Sequence, residues 1–442
     1  MRILDTSGNL LEFSNKLMNQ ALSGGAEEAE VFGFAGKITS VTLRKDKVEL
    51  GSESFHKGLG LRTVVRGAVG FSCTSNFDQL SSIVSSAFQS AQARGHDESW
   101  KSLVSPENIN HPDNLFDPAL DEIEIEQCID IANGLLMGSC IKGVEPASGG
   151  ITCSSIMETV VNSHGVELAE PSTMMSASME AIARGFDVAT GSEFHNSRYL
   201  KSDLEDVGRS AAELAKASLG GIMGESGSFE VLLKPLAFVE LLESAFIPSL
   251  FADNVQKDRS RLAERVDETI ASENLAILDN GLLPGGIGSS SFDGEGTPSQ
   301  EIWVVDHGVL KGFLYDGYAA GKVGKISTGN AVRSSYSEVP RIGIRNLVVD
   351  SMDSSDLAND TKGVLVNDLI GAHTANPISG DFSVEARNAF CLVPDEMHKP
   401  IKSIMLAGNI FELLKDIELG KDKRAVGNVV TPSVRVRMNI VS

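Results

Sequence analysis

The chain has 442 residues, 42% of them hydrophobic, and a formal net charge of −22 at pH 7. A chain of this length can bury a large core and is expected to form about two or three domains. Nucleic-acid affinity depends on Lys and Arg side chains that neutralise phosphates, so this acidic composition argues against direct nucleic-acid binding.

The first half of the chain predicts alternating helices and strands. Residues 9–22 carry apolar side chains at helical spacing, and residues 29–50 predict two strands separated at Gly36 and Lys37. Residues 58–74 predict a hairpin that turns at Arg66 and Gly67. The other predicted elements are helices at 78–93, 121–137 and 203–219 and strands at 155–162 and 174–183. The glycine-rich segment 220–227 marks the boundary between two predicted domains, 1–222 and 223–442.

The residues after this boundary predict a different architecture. A helix over 236–251 is expected to kink or end near Pro248, because proline lacks the N–H that a helix interior needs. Short strands follow at 301–305, 309–315, 341–349, 364–367, 390–393, 401–406 and 433–441. Many short strands with tight turns indicate a large bent sheet or barrel. We therefore predict an α+β fold, with an N-terminal α/β domain of mixed sheet and helices and a β-rich C-terminal domain.

Neither a targeting segment nor a membrane span is predicted. The N-terminus has no basic stretch leading into an apolar run, and no run of about 18 apolar residues occurs. The cysteine count is odd and no C-x-x-C pair is present, which argues against a disulfide framework or a zinc ribbon. We expect a soluble, cytoplasmic protein without a membrane partner, whose free thiols are Cys73, Cys128, Cys140, Cys153 and Cys391.

Motifs that carry hydrolytic chemistry are missing from the sequence. The eight histidines include no H-E-x-x-H pair, and neither a G-x-S-x-G elbow nor a phosphate-binding G-x-x-x-x-G-K-[ST] loop occurs. Distant histidines could still converge in the fold, because a zinc site needs only three protein ligands. From the motifs we predict no catalytic residue, no metal ligand and no cofactor in this chain.

Three loops, at 292–300, 325–333 and 376–384, combine glycine with small polar residues. One interpretation is a peptide-binding rim, in which backbone groups and Ser, Thr and Asn side chains contact an extended chain. The other is a set of ordinary tight turns, which composition alone favours. The candidate substrate-binding residues in these loops are Ser327, Thr328, Gly329, Asn330, Ser379, Gly380 and Asp381.

The same loops resemble the signature segments of the TldD/PmbA family. Residues 404–409 (IMLAGN) and 426–432 (VGNVVTP) continue the resemblance, and segments 29–34, 58–76 and 162–165 match in the same order in the first half. The resemblance spans nearly the whole chain. Its specificity comes from the order of several motifs, since each motif alone is weak.

One branch of this family, the TldD type, carries H-E-x-x-x-H and a later cysteine that bind zinc. By alignment, Leu242 and Ile247 stand at the two histidine positions, Glu243 at the glutamate and Leu419 at the cysteine. Aliphatic side chains offer no lone pair to a metal. The resemblance therefore implies the PmbA/TldE-type branch, whose members are also called modulators of DNA gyrase.

The resemblance further implies how such a chain works. It would be the metal-free, substrate-holding subunit of a peptidase that degrades unfolded or extended peptides. Its partner would be a TldD-type subunit that carries the zinc, or a second copy of itself. Two alternatives stay open: a self-sufficient metallopeptidase acting as a homodimer, and a regulatory protein acting on DNA gyrase or a toxin–antitoxin system.

Overall fold

The structure is a computed structural model that describes residues 2–351, 355–393 and 398–442. Its N-terminal part is built on one sheet of six strands in the order β3-β2-β1-β4-β5-β6, and every neighbouring pair is antiparallel. The strands are β1 Glu28–Arg44, β2 Lys47–Val65, β3 Ala68–Thr74, β4 Val144–Asn162, β5 Glu167–Arg184 and β6 Val188–Ser197. The helices are α1 Ser7–Ser23, α2 Leu80–Arg94, α3 Pro118–Glu122, α4 Ile125–Ser139 and α5 Glu205–Ala217, with 3-10 turns at Ile3–Thr6 and Phe77–Gln79.

The predicted break inside the first pair of strands is wrong. Gly36 and Lys37 lie within β1, opposite His56 and Phe55 of β2, and the chain turns after Arg44 instead. Lys37 is buried because its ammonium group donates to the backbone carbonyl oxygens of Asp121 and Ile123, at 3.3 and 2.8 Å. A Gly-Lys pair is typical of a turn, but here tertiary hydrogen bonds satisfy the lysine inside a strand. The hairpin turn at 66–67 is confirmed.

The C-terminal part contains a closed barrel. Strands β8, β15, β16, β18 and β22 each pair with two neighbours in a ring, and β15 with β8 is a parallel pair. A second sheet has the order β11-β10-β9-β14-β21-β20. The strands are β7 Ile222–Met223, β8 Gly227–Leu233, β9 Leu275–Asn280, β10 Glu301–Asp306, β11 Val309–Leu310, β12 Ala331–Val332, β13 Arg341–Ile342, β14 Leu347–Ser351, β15 Gly363–Ile370, β16 Asp381–Leu392, β17 Lys399–Lys402, β18 Met405–Asn409, β19 Glu418–Leu419, β20 Arg424–Val426, β21 Val429–Thr431 and β22 Val434–Val441.

Short helices join these strands: α6 Pro235–Leu241, α7 Ala252–Gln256, α8 Gly317–Lys322, α9 Leu357–Asp360 and α10 Ile410–Leu413. A π turn over Leu242–Phe246 and a 3-10 turn over Ile247–Leu250 follow α6, so the helix predicted over 236–251 is distorted before Pro248, as expected. The α+β fold with a C-terminal barrel is confirmed. The mixed sheet was predicted for the N-terminal domain, but the N-terminal sheet is antiparallel and the parallel pairs lie in the C-terminal part. The domain boundary at 222 stays a prediction; β7 at that point pairs with β17.

Helices α4 and α5 cover the N-terminal sheet together, and they approach each other at glycines. A Cβ atom on Gly138 of α4 would lie 1.9 Å from the carbonyl oxygen of Glu205, and one on Gly208 of α5 would lie 2.1 Å from that of Leu135. These neighbours are helix backbone and cannot rotate away. The two glycines therefore set the distance between the helices.

We expect Gly138→Ala to lower the free energy of unfolding by about 2 kcal/mol or more, because the added methyl group forces α4 and α5 apart. Gly134→Ala on the same helix is the matched control: a Cβ there lies 4.0 Å from its nearest neighbours. The control should be neutral or stabilising by up to about 1 kcal/mol, the usual helix preference for alanine. Urea unfolding measures both, and equal effects would contradict this account of the packing.

Candidate functional site

A buried chain of four charged side chains joins the N-terminal sheet to the loops of the C-terminal part. Arg62 of β2 contacts Glu30 of β1 at 2.5 Å and Glu295 at 2.8 Å, and Arg333 contacts the other oxygen of Glu30. All four side chains are at most 6% exposed. Burial raises the pKa of Glu295, but Arg62, the Gly317 N–H and Arg333 together outweigh burial and hold this pKa below its usual value. Each charge is compensated by the next, which buried ions require.

Two of the three predicted loops meet at this chain of charges. The Asp293 carboxylate accepts hydrogen bonds from the backbone N–H groups of Glu295, Thr297 and Ala331, at 2.9 to 3.0 Å. Burial, with Glu295 nearby, raises the pKa of Asp293 to about 7. Loops 292–300 and 325–333 are therefore held as one unit by an aspartate that both share.

The predicted binding residues of the 325–333 loop form hydrogen bonds to other residues of the same chain. Ser327 and Thr328 both donate to the backbone carbonyl oxygen of Tyr315, and Asn330 is 0% exposed. The Asn330 amide donates to Asp279 at 2.6 Å and to the carbonyl oxygen of Gly343 at 2.9 Å. Gly329 has φ +74°, in the left-handed region that favours glycine. In this conformation these residues hold a turn, and their contact with a substrate stays a prediction.

The third loop lies on the surface with different neighbours. Ser379 donates to Asp381 at 2.7 Å, and Asn409 donates to Asp381 and to the carbonyl oxygen of Ser379, both at 2.8 Å. Arg261 adds a hydrogen bond to the carbonyl oxygen of Ser379 at 3.2 Å. Gly380, with φ +81°, completes the turn. Within the described ranges no hydrogen bond or ion pair joins this turn to Ser327, Thr328, Gly329 or Asn330, so the structure does not place the two groups in direct contact.

The positions that the family resemblance assigns to zinc ligands lie in the hydrophobic core. Leu242, Ile247 and Leu419 are at most 4% exposed and belong to one core cluster. The Ile247 N–H donates to the Leu242 carbonyl oxygen, the five-residue step of a π turn. The backbone of this turn therefore links residues five apart, the spacing of the two histidines in the TldD-type motif. The aliphatic side chains at these positions cannot coordinate zinc. The residues at these positions do not fit a metal.

Carboxyl groups do lie next to this turn. Glu240 and Asp368 both accept a hydrogen bond from the Leu369 N–H, at 3.0 and 2.7 Å. Burial, together with Asp368, raises the pKa of Glu240 to about 8. Burial also raises the pKa of Glu243. Among the described residues, no group of three or more His, Cys, Asp or Glu could hold a metal ion.

A cavity of about 320 Å³ lies between the N-terminal sheet and the paired loops. Sequence reasoning missed it, because its walls come from segments more than a hundred residues apart. Its charged lining residues are Glu158, Glu170, Arg198, Asp293, Arg333 and Arg345. Arg198 joins its two sides, since it donates to the backbone carbonyl oxygens of Thr173 in β5 and of Gly286 and Ser289, at 3.1 to 3.3 Å.

Three family models cover most of the chain. They are the PmbA/TldA metallopeptidase domain 1 over residues 29–91, the central domain over 118–219 and the C-terminal domain over 226–442. An uncharacterised protein of Methanocaldococcus jannaschii is 32% identical over 94% of this chain and 96% of its own length. A metalloprotease of Synechocystis is 26% identical over 86% of this chain and 84% of its own.

A solved structure has the same fold. The TldE of Thermococcus kodakarensis superposes with a TM-score of 0.90 at 23% identity, over 97% of this chain and 100% of that one. Separately, none of the helices in the described ranges is long and apolar enough to cross a membrane.

The Glu240 site predicts a pH dependence of stability. Between the ordinary glutamate pKa and about 8, the folded chain binds more protons here than the unfolded chain, so the free energy of unfolding falls as pH rises. Glu240→Gln removes this loss. Relative to the wild type, the variant should gain on the order of 1–3 kcal/mol between about pH 5 and about pH 8, after allowance for solvent screening.

Urea unfolding at several pH values measures the difference. Glu385→Gln, an exposed position on β16, is the control and should follow the wild type at every pH. Parallel curves for wild type and Glu240→Gln would contradict the assignment of the raised pKa to this carboxyl group.

Proposed function

The chain belongs to the PmbA/TldD metallopeptidase family, and on that premise we propose that it is the metal-free, substrate-holding subunit of a two-chain peptidase. The proposal is supported by the aliphatic residues Leu242, Ile247 and Leu419, which lie inside the core at the three positions that the family resemblance assigns to zinc ligands. Among the described residues, no set of His, Cys, Asp or Glu ligands lies beside the adjacent Glu243 to hold a metal-bound water.

In this proposal the catalytic zinc belongs to a partner of the TldD type, or the chain pairs with a second copy of itself. The partner would activate water, and this chain would complete the cavity and hold the substrate. Buried ion pairs join the N-terminal sheet to the C-terminal loops. This supports the proposal that both parts of the chain act together as one subunit. We place the protein in the cytoplasm, in keeping with five free cysteines.

The substrate in this proposal is an unfolded or extended peptide. Its backbone offers one donor and one acceptor per residue, so a surface of polar turns can hold it with little sequence preference. The exposed turn at Ser379 and Asp381, together with Asn409 and Arg261, provides such donors and acceptors. The buried turn at Ser327 and Asn330 would support this surface from within the fold.

The proposal predicts that peptide hydrolysis needs a second chain. The purified chain alone should not cleave an unfolded protein such as casein, and addition of a TldD-type subunit should give activity that a chelator removes. Activity of the isolated chain that a chelator abolishes would instead support a self-sufficient homodimeric metallopeptidase. A change in DNA supercoiling by gyrase without any peptide hydrolysis would support the regulatory alternative.

The surface turn gives a second prediction. Asp381→Ala removes the acceptor of Ser379 and Asn409, so peptide degradation by the two-chain complex should fall by about tenfold. The fold should be spared, because Asp381 is exposed. The control is Asp46→Ala in the exposed turn between β1 and β2, which should leave degradation unchanged. Normal degradation by Asp381→Ala would show that this loop is only a turn.

A further inference from the structure

The cavity between the sheet and the loops has an acidic wall and a basic wall. Glu158 of β4 and Glu170 of β5 occupy directly opposite positions in adjacent strands and form the acidic wall. Arg198, which follows β6, and Arg345, which precedes β14, form the basic wall. Much of the remaining lining is apolar, from Phe32, Ile156, Met174, Val332 and Ile344.

Glu158 is the carboxyl group of this cavity that lacks a partner. In residues 2–351, 355–393 and 398–442 it accepts no hydrogen bond and has no ion-pair partner, whereas Glu170 accepts the Ser291 N–H at 2.9 Å. Burial raises the pKa of Glu158, although Arg345 opposes the shift. Glu158 is half-buried and lines the cavity, so a donor that enters the cavity can replace water at this carboxylate with a charge-assisted hydrogen bond.

Arg345 is the complementary group on the other wall. It is 7% exposed, its Nε donates to the carbonyl oxygen of Gly288 at 3.1 Å, and its Nη2 donates to the Ser290 hydroxyl. Over the described ranges its Nη1 makes no hydrogen bond and no carboxylate forms an ion pair with it. Arg198, by contrast, donates to four backbone carbonyl groups, one in β5 and three in residues 286–289.

The distribution of these groups defines the ligand chemistry. An ammonium group can donate to Glu158 and Glu170, and a carboxylate can accept from the free Nη1 of Arg345, as charge-assisted hydrogen bonds. Either charge alone would leave one wall without a partner. The cavity of about 320 Å³ is at the small end of ligand pockets, and its apolar residues suit an aliphatic side chain.

We propose that this cavity binds a small zwitterion with an apolar side chain, a free amino acid or a short peptide, with its ammonium group at Glu158 and its carboxylate at Arg345. The site is separate from the turn residues assigned above to the peptide substrate. It does not rest on the proposed subunit function, because only residues of this chain form it.

The experiment is isothermal titration of the isolated full chain with four probes. L-leucine and the dipeptide Leu-Leu carry both charges, leucinamide lacks the carboxylate, and N-acetyl-leucine lacks the ammonium group. We expect at least one of the first two to bind, and each single-charge probe to bind more weakly by about tenfold or more. Tighter binding of leucine would identify a free amino acid as the source, and tighter binding of the dipeptide would identify a short peptide.

Glu158→Gln separates binding from folding. The variant keeps the shape of the side chain but loses its charge, so affinity for the zwitterion should fall by about tenfold or more. In the absence of ligand its melting temperature should equal or exceed that of the wild type, because a half-buried carboxyl group without a hydrogen-bond or ion-pair partner in the described residues has been removed. Glu385→Gln, exposed on β16, should bind as the wild type does.

Arg345→Lys tests whether the guanidinium on the other wall binds the carboxylate of the ligand. The melting temperature shows whether the variant folds. Two results would overturn the proposal: no binding of leucine or Leu-Leu at millimolar concentration, or binding that Glu158→Gln leaves unchanged. Because the assay contains no partner chain and measures no hydrolysis, neither result bears on the proposed subunit function.

Discussion

The ion-pair chain Glu295–Arg62–Glu30–Arg333 fixes the relation between the two parts of this molecule. Glu30 and Arg62 come from the first hairpin of the sheet, and Glu295 and Arg333 come from loops more than two hundred residues later. Four charges in the interior are tolerable only as a connected set, since removal of one leaves its neighbours buried and unpaired. The geometry of both loops, and of the cavity that they cover, depends on this set.

The C-terminal core is aliphatic at the positions that the family resemblance assigns to zinc ligands. A π-turn hydrogen bond joins the backbone of Ile247 to that of Leu242, and both side chains belong to a core cluster that includes Leu419. Aliphatic residues at these positions avoid the cost of burying polar groups, and they offer no lone pair to a metal. The proposal that a partner chain carries the catalytic zinc rests on these aliphatic positions.

Most of the fold could be predicted from the sequence, because local patterns determine it. The helix around Leu10 and Leu17, the hairpin turn at Arg66 and the distortion before Pro248 follow from helical spacing, turn chemistry and the missing proline N–H. The paired strand around Lys37 could not be predicted, because the carbonyl groups that satisfy its ammonium group lie more than eighty residues away. The edge strand β6 also escaped prediction, since its half-exposed, polar residues give little hydrophobic alternation.

The site was less accessible to sequence reasoning than the fold. The turn residues Gly329 and Gly380 stand out because left-handed backbone favours glycine, and Asn330 stands out as a small polar residue beside one of them. A single sequence does not reveal that Asn330 is interior and Asp381 exposed, since both belong to similar Gly-rich segments. Glu158 gives no signal at all: it is one polar residue in an alternating strand, and Arg345, the complementary group in the cavity, lies nearly two hundred residues away.

Elemental analysis of the purified chain, with no zinc added after purification, would decide whether this protein works without its own metal. The replacement of the ligand positions by aliphatic residues predicts less than about a tenth of an equivalent of zinc per chain. A value close to one equivalent would mean that scattered histidines, cysteines or carboxylates form a site in the protein as purified. That result would contradict the proposal of a metal-free subunit and favour a peptidase that acts alone.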